Sequence, residues 1–112
     1  MCRSMEGLTR RADFLAAARA FRAGTPSFTL QAREREGGGP PRFGFTCSKK
    51  VGNAVRRNRA KRRLREVARL VLVADARDGW DYVLIGRPGA TADRGWDELC
   101  ADARQALARV HA

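Results

Sequence analysis

The chain has 112 residues and a formal net charge of +11, and 44% of its side chains are hydrophobic. This length suits one compact domain spanning residues 1–112, with a core that needs no metal or disulfide. The apolar runs are too short to cross a bilayer, and the N-terminus lacks the apolar core of a secretory signal, so these features exclude membrane and secreted classes. We therefore expect a cytoplasmic protein that starts at Met1 or Met5.

Residues suited to metal binding or hydrolysis are scarce. The cysteines Cys2, Cys47 and Cys100 form no CxxC pair, and the single histidine, His111, lies next to the C-terminus. Because this pattern does not match the spacings of zinc sites, Cys47 and Cys100 are expected to be small buried residues. No nucleophile with a base is visible. We predict neither a catalytic residue nor a metal or cofactor bound by the protein alone.

The first half of the chain predicts one helix and two strands. Apolar residues at helical spacing, followed by a glycine and a proline, predict a helix from about Arg11 to Ala23. Alternating apolar and polar residues predict strands from Ser27 to Arg33 and from Arg42 to Ser48. The segment Glu34 to Pro41 is rich in glycine and proline and predicts a turn. The two strands are therefore expected to pair as an antiparallel hairpin.

The second half predicts a turn, a long helix, a buried strand and a last helix. Lys49 to Asn53 turns the chain, and a helix then runs from about Asn53 to Ala74. The apolar run from Tyr82 to Ile85 predicts a strand buried on both faces. Apolar residues at helical spacing, starting with Trp96, predict a helix from Trp96 to Val110.

These elements give the order αββαβα, an α+β sandwich in which helices cover a small mixed sheet. The two strands that flank the long helix are candidates for parallel pairing, and general statistics favour a right-handed crossover for such a unit. Asp75, Asp78 and Asp81 cluster around a Gly-Trp turn, and we interpret them as a solvated connection.

The charge is concentrated in one stretch of the chain. Lys49 to Arg69 holds ten of the 23 basic residues and a single acid, Glu66. Its net charge of +9 accounts for nearly all of the excess of +11. Such a concentration predicts a polyanionic partner.

This basic stretch has the pattern of an amphipathic helix. Its apolar stripe contains Ala60, Leu64, Val67, Ala68 and Val71. The arc opposite the stripe contains Asn58, Lys61, Arg62, Arg65 and Arg69, with Arg57 and Arg59 to either side. Arg56 and Arg63 fall near the apolar edge, and the pattern does not predict their partners.

An arginine-rich helix face can form bidentate hydrogen bonds to phosphate oxygens, but composition alone does not separate RNA from DNA. A general acidic partner or a solubilising face stays open. A helix-turn-helix DNA binder is a further alternative, and it needs a helix in place of the strand around Phe43 to Cys47. Four phenylalanines are candidates both for stacking on bases and for the core: Phe14, Phe28, Phe43 and Phe45.

The segment FGFTCSKKVGNAVRRNRAKRRLRE closely resembles the signature of the bacterial ribonuclease P protein component, whose helix carries an Arg-Asn-Arg core, here Arg57, Asn58 and Arg59. The resemblance extends to LTRRADF at Leu8 to Phe14, to DYVLIGRP at Asp81 to Pro88, and to the last helix. A ribosomal or similar structural RNA-binding protein is the second hypothesis.

The resemblance implies a protein that binds a large catalytic RNA and assists its removal of the 5′ leader from precursor tRNA. The RNA then supplies the active site and its Mg²⁺ ions, and the protein joins it at a ratio of 1:1. The implied RNA-subunit-binding residues are Arg57, Asn58, Arg59, Lys61, Arg62 and Arg65. The implied leader-binding residues are Phe14, Ser48, Lys49, Lys50 and Arg87. The resemblance also implies a left-handed crossover around the basic helix.

Two residues depart from the family pattern. Ala18 and Gln31 stand where members often carry aromatic residues, a second one on the first helix and a tyrosine on the first strand. We hypothesise that stacking on the leader is weaker in this chain. Lys49, Lys50 and Arg87 would then carry more of the leader affinity through electrostatic contacts.

Overall fold

A computed structural model describes residues 6–112, so Cys2 and the choice between Met1 and Met5 lie outside the described residues. One mixed sheet has the strand order β1-β4-β5-β3-β2. Its strands are β1 (Glu6–Gly7), β2 (Phe21–Gly24), β3 (Phe28–Glu34), β4 (Arg42–Thr46) and β5 (Trp80–Gly86). The helices are α1 (Arg11–Ala18), α2 (Ala54–Val67), α3 (Val73–Asp75), α4 (Ala90–Asp93) and α5 (Trp96–Val110). A π-helical turn, Ala68–Leu72, joins α2 to α3 without a break.

The predicted hairpin between β3 and β4 is wrong, because β5 lies between them. β3 pairs with β5 in antiparallel orientation, and β4 pairs with β5 in parallel. β5 is almost entirely apolar and buried on both faces. The central position in the sheet therefore removes more of its apolar surface from water than an edge position would. The intervening loop crosses the end of β5, where the Gly79 N–H donates to Gly39 O at 2.7 Å. The predicted parallel pairing around α2 is confirmed, and the hand of that crossover stays a prediction.

The first helix ends five residues earlier than expected. α1 stops at Ala18, and Phe21–Gly24 forms the edge strand β2, paired with β3 in antiparallel orientation. Phe21 and Ala23 alternate with polar or small residues, which suits a strand, but the period is too short to be separated from a helix in the sequence alone. Pairing with β3 decides in favour of the strand.

The sheet buries a different cluster on each face. Alternate residues Tyr82 and Leu84 of β5 pack with Leu64 of α2 and with α5, whereas Val83 and Ile85 pack beneath α1. The predicted stripe of α2 is confirmed, with Val71 half-buried and its other members fully buried. Phe28 and Phe43 are fully buried, so they belong to the core and are not stacking candidates. Cys100 is buried and Cys47 is half-buried, while Trp96, expected on the buried stripe, is 39% exposed.

Asp81 is fully buried, which contradicts its interpretation as part of a solvated turn. β5 begins at Trp80, so Asp81 lies in the central strand, level with Arg33 on β3 and Arg42 on β4. Its carboxylate accepts hydrogen bonds from Arg33 at 3.0 Å and Arg35 at 2.9 Å, and two from Arg42 at 2.7 Å. Burial raises the pKa of Asp81, but these hydrogen bonds and the arginine charges outweigh it and leave that pKa below its ordinary value.

Candidate nucleic-acid interface

The start of α2 is held by local contacts. Gly52 has a φ of 144°, a conformation that side chains rarely adopt, and so turns the chain into the helix. The Asn53 side chain then caps α2 by accepting a hydrogen bond from the Arg56 N–H at 3.0 Å. Together with the buried stripe, this cap fixes the direction in which each basic side chain leaves the helix.

The arginines of one row on α2 form hydrogen bonds within the protein. Arg56 pairs with Asp93 at 2.7 Å, and the Arg59 Nε donates to Ala92 O at 3.0 Å. Arg63 donates to the carbonyl oxygens of Thr91 at 2.9 Å and Arg94 at 2.5 Å. This row therefore fastens α2 to the short helix α4. Burial, followed by the charge of Arg59, lowers the pKa of the Arg63 guanidinium from its ordinary value.

A second row faces β4. It consists of Arg57, Lys61 and Arg65, one helical turn apart, and the Arg65 guanidinium lies 5.9 Å from the centre of the Phe45 ring. Their charges lie near the Cys47 thiol. Burial raises the pKa of that thiol, and the charges of Lys61, Arg57 and Arg65 oppose the rise.

Between the two rows, Asn58 and Arg62 are exposed. Neither side chain has a hydrogen bond or ion pair with the rest of residues 6–112. All six residues predicted to bind the RNA subunit thus lie on one helix, where Asn58, Arg59, Arg62 and Arg65 are exposed and Arg57 and Lys61 are half-buried. We call this set the α2 surface.

Two of the predicted leader-binding residues, Phe14 and Arg87, lie on the face of the sheet opposite to α2, and we call the part of this face beside α1 the cleft. Its floor is the row Thr29, Ile85 and Thr46, which are register partners on β3, β5 and β4. The Phe14 ring packs on Gly44, where a Cβ atom would lie 2.5 Å from a ring carbon. Only a glycine at position 44 therefore admits the ring at this depth.

Polar and charged side chains flank both ends of the cleft. Ser48, Lys49 and Lys50 follow β4 and are exposed, and a 3₁₀ turn begins at Lys49. Arg87 follows β5 at the same edge of the sheet, because β4 and β5 are parallel, but its side chain extends to β2 at the other end of the floor row, where its NH2 lies 3.4 Å from the position of a Cβ on Gly24. Phe14 and Arg87 thus lie on the face of the sheet that α1 covers, and Ser48, Lys49 and Lys50 lie where β4 ends at the edge of that sheet.

Sequence reasoning missed Thr91, which positions Arg87. Its Oγ1 accepts a hydrogen bond from the Arg87 N–H at 2.7 Å and donates to Ser27 O at 2.5 Å. The four-residue helix α4 is too short for a periodic pattern, so no sequence signal marks this threonine.

Other features lie away from both surfaces. A cavity of about 320 Å³ lies between the π-helical turn and α5, and it contains none of the predicted site residues. Within residues 6–112 no group of three or more His, Cys, Asp or Glu side chains could hold a metal ion. Among the described helices, none has the length and apolar character needed to span a membrane.

Comparison with known proteins decides the family. A family model described as Ribonuclease P matches residues 3–111. This chain belongs to the ribonuclease P protein family. It is 63% identical over 107 residues to the ribonuclease P protein component of Ruegeria pomeroyi, covering 94% of this chain and 86% of the relative. The corresponding protein of Caulobacter vibrioides is 50% identical over 103 residues, covering 91% of this chain and 68% of the relative.

Solved structures of ribonuclease P proteins share the fold. The protein from Thermotoga maritima superposes with a TM-score of 0.76 at 26% identity, covering 93% of this chain and 96% of that one. The Staphylococcus aureus protein gives a TM-score of 0.75 at 24% identity, covering 92% and 93%. The family consists of protein components of ribonuclease P, the subunits that help an RNA remove the 5′ leader of tRNA.

Membership of the ribonuclease P protein family also settles the alternatives. The helix-turn-helix hypothesis is wrong, because Arg42–Thr46 is a strand. The hypothesis of a ribosomal protein gives way to the family match. The two departures from the family pattern lie near the cleft: Ala18 is exposed on α1, and Gln31 is buried on β3 in the row that leads to Gly44. The predicted weakening of leader stacking stays a prediction.

Proposed function

We propose that this chain binds the catalytic RNA of ribonuclease P through the α2 surface and holds the 5′ leader of precursor tRNA in the cleft beside α1. One observation carries the proposal: the two sets of residues lie on separate surfaces, because α2 and α1 pack on opposite faces of the sheet. The turn Lys49–Val51 joins the end of β4 to α2 and so links the two surfaces.

The α2 surface suits a folded RNA. Arg62 and Asn58 are exposed and have no protein partner within the described residues, so their donors are available to phosphate oxygens. Only the Nε of Arg59 donates a hydrogen bond to Ala92 O, so its two terminal nitrogens are available to a ligand. The first row, by contrast, fastens the helix to α4 and keeps this surface rigid.

The cleft suits a single strand. Phe14 offers a ring edge and face in a fixed position, and bases of single-stranded RNA stack on aromatic side chains for about 1 to 3 kcal/mol each. Lys49 and Lys50 at one end and Arg87 at the other can contact the backbone phosphates.

In this proposal no side chain of the protein takes part in the chemical step. The RNA subunit supplies the active site with its Mg²⁺ ions, and the protein joins it at a ratio of 1:1. We place the complex in the cytoplasm, where bacterial precursor tRNA is made.

Reconstitution tests the proposal. Adding the protein to the ribonuclease P RNA of Ruegeria pomeroyi at low Mg²⁺ should restore cleavage of precursor tRNA at the mature 5′ end. The assay should include the Caulobacter vibrioides RNA as a second compatible subunit. Absence of stimulation with both RNAs, from protein shown to be folded by circular dichroism, would contradict the proposal.

A further inference from the structure

A group of exposed arginines lies outside both surfaces, and their side chains form no polar contacts that would stabilise the fold within the described residues. Arg10, Arg11, Arg19 and Arg22 are all exposed, and within residues 6–112 none of their side chains has a hydrogen bond or ion pair. The only acid on α1, Asp13, is already paired with Arg33 at 3.3 Å and with Arg42 at 3.6 Å. The charge of this region is therefore uncompensated.

Three of these arginines lie on the same side of the sheet as α1. Arg11 and Arg19 are two turns apart on the outer side of α1, with the 47% exposed Leu15 between them. Arg22 follows on β2, where the alternation of the strand directs it to the same face of the sheet as Gly24. We call Arg11, Arg19 and Arg22 the α1 stripe.

The α1 stripe is contiguous with the cleft. Arg22 is the register partner of Gln31, whose row continues through Val83 to Gly44 beneath Phe14. The neighbouring row of register partners begins at Gly24, beside the Arg87 guanidinium, and continues through Thr29, which is on the floor of the cleft. β2 is the edge of the sheet, so no further strand separates the stripe from the cleft.

We infer that the α1 stripe binds the phosphates of the upstream part of the leader, beyond the segment held in the cleft. This inference rests on the proposed function. Lys49 and Lys50 adjoin α2, so the end of the cleft that they flank lies nearer to the catalytic RNA. A leader that starts at this end and crosses the sheet leaves at Arg87 and meets Arg22 and Arg19 next.

The chemistry of the stripe fits single-stranded RNA. Guanidinium groups without protein partners can bind phosphate oxygens in a bidentate manner, and the exposed Leu15 offers apolar surface to a base. The folded RNA subunit is the less suitable occupant, because the α2 surface lies on the opposite face of the sheet.

The test compares leaders of increasing length on the reconstituted holoenzyme. The variant Arg19→Gln/Arg22→Gln removes two charges from the stripe, and Arg77→Gln/Arg104→Gln removes two exposed charges beside the distant cavity as a matched control. For long leaders the stripe variant should lose affinity by about tenfold, and the log–log salt dependence of binding should weaken by about 1.4, the value for two contacts to a single strand. For leaders that end within the cleft it should match the wild type and the control.

Two outcomes would overturn the inference. Unchanged affinity for long leaders would show that the stripe binds no leader phosphate. An equal loss for every leader length, including mature tRNA without a leader, would assign these arginines to the tRNA body or the RNA subunit. A wild-type holoenzyme that does not distinguish leader-bearing from leaderless tRNA would instead contradict the proposed function itself, whatever the variants do.

Discussion

Arg42 and Asp81 form a bidentate ion pair at the buried end of the sheet, with Nε to Oδ1 and NH2 to Oδ2 both at 2.7 Å. The pair joins β4 to β5 in parallel register. Arg42 also contacts Asp13 in the first turn of α1, one residue before Phe14. The same cluster of charges therefore holds the sheet together and places α1 over the cleft.

Replacing the buried carboxylate should be costly. Asp81→Asn leaves Arg33, Arg35 and Arg42 without their shared anion, and breaking a buried ion pair in this way costs about 3 kcal/mol. Urea denaturation should report this loss in the free energy of unfolding. The exposed Asp75→Asn should change it by less than about 0.5 kcal/mol. Equal stability of the two variants would show that the cluster contributes little.

Gly44→Ala should displace the Phe14 ring, because the added Cβ would lie 2.5 Å from it. We expect affinity for leader-bearing tRNA to fall by about tenfold, in line with the loss of one stacked base, while affinity for the RNA subunit is unchanged. Gly7→Ala is the matched control, since a Cβ there meets nothing within 4 Å. Unchanged leader affinity in Gly44→Ala, measured by fluorescence binding, would remove Phe14 from the leader site.

Substitutions of the adjacent residues Arg62 and Arg63 should have different effects on stability and on RNA-subunit affinity. Arg63→Gln loses hydrogen bonds to Thr91 and Arg94 and should lower the free energy of unfolding by about 2 kcal/mol. Arg62→Gln removes an exposed side chain, so stability should stay within about 0.5 kcal/mol of the wild type while RNA-subunit affinity falls. Thermal melts and filter binding distinguish the two effects. A stability loss in Arg62→Gln would contradict its placement on the outer side of the helix.

The two proposed surfaces predict a division of labour. Arg57→Ala/Arg59→Ala should weaken assembly with the RNA subunit, whereas Lys49→Ala/Lys50→Ala should weaken binding of leader-bearing tRNA by the assembled enzyme. Each loss should be about tenfold and should shrink as salt concentration rises. Titrations of RNA subunit and of substrate are measured separately for both variants. Similar losses in both titrations for both variants would mean that the surfaces are not distinct.

We expect the protein to lose stability on mild acidification because of His111. Its Nε2 lies 2.7 Å from the Tyr82 hydroxyl, which also accepts the Arg77 N–H. Burial, followed by the charge of Arg77, lowers the pKa of His111 below its ordinary value. Asp75 and Arg104 are the other charged residues that line the cavity beside this ring.

His111 binds a proton more readily in the unfolded chain than in the folded protein. The free energy of unfolding should therefore be highest above about pH 6.5 and should fall as the pH drops through the lower folded pKa. The slope should be at most about 1.4 kcal/mol per pH unit. Thermal melts between about pH 7.5 and pH 5 measure this slope. His111→Gln should flatten it. A slope that persists in this variant would assign the effect to another group.

The sequence by itself determined the features that depend on neighbouring residues. The start of α2 follows from Gly52 and Asn53, and the Arg-Asn-Arg core is contiguous. The apolar stripe with helical period predicts a helix to about Ala74, and the continuous helical run ends at Asp75, but no pattern predicts the π-helical turn at which α2 itself ends. α5 begins and ends at the predicted residues because its apolar residues recur at helical spacing. The set of cleft residues came from the family resemblance, since nothing in their spacing along the chain brings Phe14, Lys49 and Arg87 together.

Only the tertiary structure decided the features that depend on distant pairing. The position of β5 between β3 and β4 is a choice among strand orders, and local alternation does not distinguish them. That choice buries Asp81 between Arg33 and Arg42, and pairing with β3 turns Phe21–Gly24 into a strand. The contacts of Arg59 and Arg63 on α2 depend on α4 and the residue after it, 28 or more residues further along the chain. Contacts of this kind are non-local, so no periodic pattern in the sequence records them.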